Sequence, residues 1–345
     1  MMRDHVGIAG VGVYLPEGRM TAKEISDATG SWWAEEAVIE KLGIVEKVIP
    51  ADPEKDGTQE MGALAAIDCL KDAAMDPLEI DVILCVGEEW KEYPLTTSAI
   101  YIQDRIGAEN AWGIDVQNRC CTTLTAMEMA KSMLLADPQL NVIMVVGGYR
   151  NGDFVDFTDK DMSMMYNLAA GGGAFLLKKN LGKNELRGGS IRSDGSLART
   201  AGVEIGGIAN PISCDNIDEA YKSLRLMDAK KMKDRLNEVS MQNWYACIDD
   251  ALAKSNLTRE DIDFLSILHI KRSGHEAMLE ALGLTSDQTV YLENYGHLGQ
   301  IDQMLSPKLG LEQGKIKDGT VICSIAAGIG YVWAANIIVW GPIDE

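Results

Sequence analysis

The stretch Trp112-Gly-Ile-Asp-Val-Gln-Asn-Arg-Cys-Cys-Thr-Thr-Leu124 passes from a short branched run into a longer segment of helical character, and that change of period decides the fold. Trp112 to Val116 reads as a strand, Thr122 to Leu135 as a helix, and Val142 to Gly147 as the next strand. Strand, crossover helix and strand form a βαβ unit, with its strands parallel in a buried sheet. The alternation continues outward. Val6 to Val13, Val82 to Val86 and Gly173 to Leu177 read as strands, Gln59 to Ala74 and Thr96 to Ile106 as helices. Past the polar junction Leu181 to Asn184 the theme repeats. Strands are expected at Gly188 to Ser193, Asp263 to Leu268, Val290 to Leu292, Val321 to Ile325 and Ile337 to Trp340. Helices are expected at Met241 to Ser255, Gly274 to Leu282 and Gln303 to Gln313. The pattern predicts an α/β protein of two duplicated halves, residues 1–180 and 181–345, with the irregular Glu204 to Arg235 region covering a substrate entrance.

A chain of 345 residues with 46% apolar content can fill a large core. Acidic residues outnumber basic ones by 52 to 32, a formal charge of −20 that repels phosphate backbones and anionic membrane surfaces. Nucleic acid and membrane are therefore not expected partners. An anionic substrate such as coenzyme A would need a local basic mouth, for which Arg150, Lys160, Lys271 and Arg272 are the candidates. The seven cysteines form no CxxC pair, so neither a disulfide framework nor a zinc site is expected. No segment approaches the ~20 apolar residues that span a bilayer, and the first residues lack a signal-peptide pattern, so a reduced cytoplasmic location is expected.

Cys120 follows a strand and opens a helix, whose N–H groups and dipole favour thiolate over thiol. Spacing alone supports equally a nucleophile and two small apolar residues, Cys120 and Cys121, packed under a helix. Of the four histidines, His5 precedes the first strand, and His275 lies on a helix, facing solvent or capping it. His269 ends a strand, and His297 sits in the turn Glu293-Asn-Tyr-Gly-His-Leu-Gly-Gln. Two histidines in successive sheet-edge loops, with a helix-capped cysteine, point to a Cys-His-His constellation. Leu168-Ala-Ala-Gly-Gly-Gly-Ala174 reads as a tight turn, and Ala326-Ala-Gly-Ile-Gly-Tyr331 as a turn able to aim a backbone N–H at an oxyanion.

In this order the features resemble the ketoacyl synthase III and HMG-CoA synthase branch of the thiolase superfamily, along nearly the whole chain. Gly7-Ile-Ala-Gly-Val-Gly-Val-Tyr-Leu-Pro16 is similar to that family's first strand, and Ile114-Asp-Val-Gln-Asn-Arg-Cys120 to its nucleophile segment. The resemblance implies a thiolase-like fold, two α/β halves packed as αβαβα layers. It makes Cys120 the acylated residue and His269 and Tyr295-Gly-His297 the other members, with the amides of Cys120 and Ile329 as the oxyanion hole. Arg150, Lys271 and Arg272 would bind substrate. No metal or resident cofactor is implied, only coenzyme A or acyl-carrier-protein thioesters as substrates, and a homodimer with room for a second subunit. The implied reaction is a Claisen condensation giving a 3-oxoacyl thioester. Alternatives are acyl transfer to an oxygen, nitrogen or sulfur acceptor, and an HMG-CoA synthase-like aldol-type condensation. Three positions depart from the ketoacyl synthase III pattern. Ile270-Lys-Arg272 stands where Gln-Ala-Asn is usual, His297 stands where Asn is usual, and Val86-Gly-Glu-Glu89 resembles the HMG-CoA synthase segment whose glutamate is the general acid/base. That makes Glu89 a candidate, against the plainer reading of a solvated cluster with Glu88, Lys91 and Glu92.

Overall fold

In the computed structural model, which describes residues 4–343, the apolar runs become nine strands of one mixed sheet. They are β1 (Val6–Tyr14), β2 (Val82–Cys85), β3 (Trp112–Asp115), β4 (Val142–Tyr149) and β5 (Gly171–Lys179), then β6 (Lys183–Ser193), β7 (Phe264–Ile267), β8 (Val321–Gly328) and β9 (Val332–Pro342). Their order, β7-β8-β9-β6-β1-β5-β4-β2-β3, contains one plan twice. In the first half β1 lies antiparallel to β5, β5 antiparallel to β4, and β4, β2 and β3 run parallel. In the second, β6 lies antiparallel to β9, β9 antiparallel to β8, and β8 parallel to β7. The counterpart of β3 shrinks to one bridge, Leu265 to Thr289, so the strand expected at Val290 to Leu292 does not form. A single pair, Gly7 with Glu185, joins the half-sheets.

Six helices matter for the site: α1 (Thr58–Ala73), α2 (Ser98–Ile106), α3 (Thr122–Ala136), α4 (Ala229–Lys254), α5 (Arg272–Leu282) and α6 (Asp302–Glu312). Both α3 and α6 touch strands of both halves and form the middle layer, while α1 and α4 cover the two outer faces. The result is the layered αβαβα arrangement of a thiolase-like fold. The middle layer explains α6, which is buried almost all round and so shows little amphipathic pattern.

Two expectations are corrected here. Gly171 to Gly173 lie inside β5 rather than in a turn. Cβ atoms built on Gly12, Gly148 and Gly172 would stand 2.1 Å from the carbonyls of Ala65, Thr58 and Met61, so these glycines let α1 lie directly on the sheet. The fourth helix starts at Ala229, far before Met241, because its first turns are polar and carry no apolar period. Its Asp228 cap accepts from the Lys231 amide.

The duplicated plan positions the chemistry. Glu88 follows β2 and Cys120 follows β3 in one half, while His269 follows β7 and His297 follows the vestige of β3's counterpart in the other. Both sets lie at C-terminal ends of parallel strands, where open α/β sheets gather functional groups. Among the described residues, no helix is long and apolar enough to cross a membrane.

Candidate active site

The segment before α3 begins with a strained residue. Arg119 has φ +53, a left-handed conformation that costs a non-glycine residue about 1 kcal/mol. Carboxylates hold it there. Its Nη1 lies 2.6 Å from Glu88 Oε2 and 2.6 Å from Glu89 Oε2, and its Nη2 2.9 Å from Glu89 Oε1. Asp115, at the end of β3, fixes the approach from the other side, accepting from the amides of Ser98 and Ala99 at the start of α2. The resulting turn leaves Cys120 half-buried and Cys121 fully buried. Burial pushes the Cys121 thiol well above its ordinary range, which makes it inert packing.

Cys120 Sγ stands 3.2 Å from His297 Nε2. On the far side of the ring, His297 Nδ1 lies 2.5 Å from Asp302 Oδ2. Asp302 is completely buried and also accepts from the amides of His269 at 2.8 Å and Leu298 at 2.8 Å. Burial works against charge on His297, yet Asp302 and Cys120 together lift it to about 10. The ring is therefore an imidazolium at neutral pH, held against the Cys120 sulfur.

His269 is placed differently. Its Nδ1 faces the Asn167 amide nitrogen at 2.9 Å and its Nε2 faces the Gly43 carbonyl at 3.1 Å. Those partners assign Nδ1 as acceptor and Nε2–H as donor, a neutral ring. Burial lowers its pKa to about 4, in keeping with that tautomer. Both ring nitrogens are committed to protein groups, and Tyr291 stacks on the ring at 5.4 Å between centroids. His275, expected at the surface, is instead buried against the same Tyr291 at 4.8 Å, with burial lowering it to about 4.

The surrounding charges are not a solvated cluster. Glu92 caps α1 through the Gln59 amide at 2.8 Å, and Lys91 pairs with Asp115 at 3.1 Å. Glu88 is 4% exposed, and burial raises it to about 7 despite Arg119. For Glu89 the half-burial also works upward, but the Arg119 bonds hold it below the usual carboxylate range. Its side chain is 60% exposed. Tyr149, buried at the end of β4, is pushed up chiefly by burial, and its ring lies 6.2 Å from that of His297.

Other expected residues have separate surroundings. Gly328, at the end of β8, packs so closely that a Cβ there would lie 3.0 Å from the Cys120 nitrogen, which brings the Gly328-Ile329 turn beside that amide. Arg150 bonds Asp153 at 2.7 Å and the Asp56 carbonyl at 2.9 Å. Arg272 bonds Glu293 at 2.6 Å and lies over Tyr291, so two of the expected phosphate-binding cations are neutralised within the protein. Lys160 lies over Trp32, and Lys271 is exposed at the start of α5. In the 204–235 region Tyr221 approaches Trp90, which follows Glu89, at 6.4 Å.

Sequence reasoning missed Asp302, Asn167, Lys47 and Glu88. Lys47 is fully buried and donates to the carbonyls of Tyr166 at 2.9 Å and Leu168 at 2.8 Å, tying down the segment that carries Asn167. Asp302 had one sequence signal: its position five residues past a loop histidine, at the head of a helix. Among the described residues, no cluster of metal-ligating side chains occurs.

The matching family models are 3-oxoacyl-[acyl-carrier-protein] synthase III over residues 114–195 and its C-terminal region over residues 252–340. The beta-ketoacyl-[acyl-carrier-protein] synthase III of Azobacteroides pseudotrichonymphae is 26% identical over 343 residues, covering 99% of each chain. The Syntrophomonas wolfei protein of the same name is 25% identical over 340 residues, 97% of this chain and 98% of that one. Among solved structures, beta-ketoacyl-[acyl carrier protein] synthase III of Thermus thermophilus superposes with a TM-score of 0.83 at 22% identity, covering 98% of this chain and all of that one. An OleA variant of Xanthomonas campestris gives 0.80 at 16% identity, covering 99% of both.

Proposed function

We propose that this chain, which belongs to the 3-oxoacyl-[acyl-carrier-protein] synthase III family of the thiolase superfamily, condenses two acyl thioesters through an acyl group carried on Cys120. The observation that carries the reading is the line Cys120–His297–Asp302, at 3.2 Å and 2.5 Å. A thiolate attacks the first thioester, delivered on coenzyme A or a carrier protein. The amides of Cys120 and Ile329 hold the tetrahedral oxyanion. Collapse expels the thiol and leaves acyl-Cys120. A carbanion equivalent of the second thioester then attacks the acyl carbonyl, and Cys120 leaves as thiolate beside the His297 imidazolium. His269 reaches that substrate only by exchanging the Gly43 carbonyl for the thioester oxygen, so its resting role is to orient Asn167 and Asp302.

The same Cys-His-Asp line is the arrangement by which acyl-enzymes pass their acyl group to a heteroatom, so transfer to an oxygen, nitrogen or sulfur acceptor is the second reading. Incubation with an acyl-CoA and a second thioester separates them. A product with the mass of a 3-oxoacyl thioester supports condensation, and an ester or amide alone overturns it. The assembly we propose is a homodimer across β3. This edge strand has one neighbour and exposes Trp112 and Ile114 at 51% and 45%. Light scattering giving the mass of one chain would contradict it.

A further inference from the structure

Asn167 stands between the two histidines, and its place is fixed on every side. Three successive carbonyls end on buried donors: Tyr166 and Leu168 on the Lys47 ammonium, at 2.9 and 2.8 Å, and Asn167 on the His297 amide, at 2.7 Å. The Asn167 Nδ2 faces His269, 2.9 Å from its Nδ1 and 3.2 Å from its backbone oxygen. A carbonyl can only accept, so the second contact identifies the atom there as the amide nitrogen, and the first then requires a bare lone pair on Nδ1. The Gly43 carbonyl, 3.1 Å from Nε2, requires the ring proton at the other end. The carboxamide's own Oδ1 is buried and has no partner among the described residues. Leaving it so costs stability that an apolar side chain of the same size would avoid, and the pair of N–H groups on His269 is what the asparagine adds. His269 is tied to the same centre through its own amide, which shares Asp302 Oδ2 with His297 Nδ1.

We infer that Asn167 is a positioning residue of the second half-reaction: its amide presets His269 as a neutral ring with the proton on Nε2, ready to hold the oxygen of the second thioester where the Gly43 carbonyl now sits. The inference rests on the acyl-Cys120 reading. At rest His269 orients Asn167; once the Gly43 carbonyl gives way to substrate, Asn167 orients His269. Gly43 has φ +76, and a Cβ built there would run into Tyr291 Oη, so only glycine brings this carbonyl to the ring. Its oxygen is an acceptor of the same kind as that of a thioester and marks the position. As the carbanion equivalent forms, negative charge moves onto the thioester oxygen, and an N–H already aimed there stabilises it. A neutral imidazole is a weak acid, so it polarises the oxygen and keeps its proton. With Nδ1 protonated instead, a lone pair on Nε2 would face the oxygen and repel it. In the serine-protease triad the wrong tautomer alone, with the geometry intact, costs about 10⁴ in kcat.

Nitrogen-15 spectroscopy of the full-length protein tests the tautomer without substrate, since the chain has four histidines and His269→Gln identifies the signals. Wild type at pH 7 should show His269 with a protonated Nε2 and a bare Nδ1. A protonated Nδ1 would overturn the inference. Asn167→Leu keeps the size and the backbone bond to His297 but removes both N–H donors. With acetyl-CoA alone and with malonyl-CoA, whichever wild type condenses, the variant should condense at least about a hundredfold more slowly. Acylation of Cys120, read by intact mass, should slow by less than about tenfold. Condensation within about tenfold of wild type, or an equal slowing of both steps, would overturn the inference. Asn167→Gln keeps the carboxamide and should recover part of the condensation; a role confined to filling space predicts the reverse order, with Asn167→Leu the more active. Absence of acyl-Cys120 in wild type would instead overturn the proposed function, so the two failures are distinguishable.

Discussion

Replacing Asp302 by Asn removes a charge and almost no volume, and the structure fixes what that charge does. Moving an imidazole from 6.5 to about 10 takes about 5 kcal/mol of net favourable interaction, at about 1.4 kcal/mol for each tenfold change. Burial opposes the shift, so the Asp302 carboxylate and the Cys120 sulfur together supply more than this. Assigning about half to the carboxylate gives a loss of about 3 kcal/mol, or roughly a hundredfold in the stability of the His297 imidazolium. Stopped-flow alkylation of Cys120 by iodoacetamide at pH 7 reads how far that imidazolium, 3.2 Å from the sulfur, supports it as a nucleophile. The rate for Asp302→Asn should fall roughly a hundredfold, with the far-ultraviolet circular dichroism unchanged. The linkage has a definite sign. His297 is raised in the folded state, so the stability it contributes is complete below about 6.5 and is lost as pH rises through about 10. The stability gap between wild type and Asp302→Asn, from urea unfolding, should therefore be wide at pH 6 and narrow by pH 10.5. Alkylation of the folded variant within threefold of wild type, or a gap that widens with pH, would refute the role given to Asp302.

Two further substitutions test the frame. Gly328→Ala would set a methyl 3.0 Å from the Cys120 nitrogen and 2.9 Å from Arg119 Cβ, so acylation by acyl-CoA should fall at least about tenfold while the melting temperature shifts by only a few degrees; full activity would show that the turn is not pressed against the nucleophile's amide. Lys47→Met keeps the apolar stem but leaves the Tyr166 and Leu168 carbonyls without their donor, and it should cost about 1 to 3 kcal/mol in urea unfolding; a gain in stability would mean that burying the ammonium outweighs both bonds.

The architecture was legible because buried parallel strands must be continuous apolar runs, as Val82–Cys85 and Val142–Tyr149 are. The duplication was visible as pattern. The strand expected at Val290 to Leu292 failed because apolarity cannot report whether a neighbour offers free backbone groups. Glycines 171 to 173 were misplaced because a glycine run in a turn and one pressed under a helix look alike in sequence. At the site, Cys120 and His297 stood out as rare residue types at strand ends, and the structure sets them in contact. Asp302, Glu88 and Lys47 did not, since Asp, Glu and Lys are common and ordinarily solvated; only burial gives them their chemistry. The ring orientation of His269 follows from Asn167 and Gly43, both more than a hundred residues away in sequence, and no local pattern encodes it.

The central claim is that one sulfur, at the head of the middle-layer helix, carries the acyl group. Incubation with acetyl-CoA, rapid quenching and peptide mapping by mass spectrometry tests it directly. The account predicts a single acetyl adduct on the peptide holding Cys120, absent from Cys120→Ala and present on no other cysteine. An adduct that persists in Cys120→Ala, or a wild-type protein that turns over thioesters without ever bearing one, would contradict it.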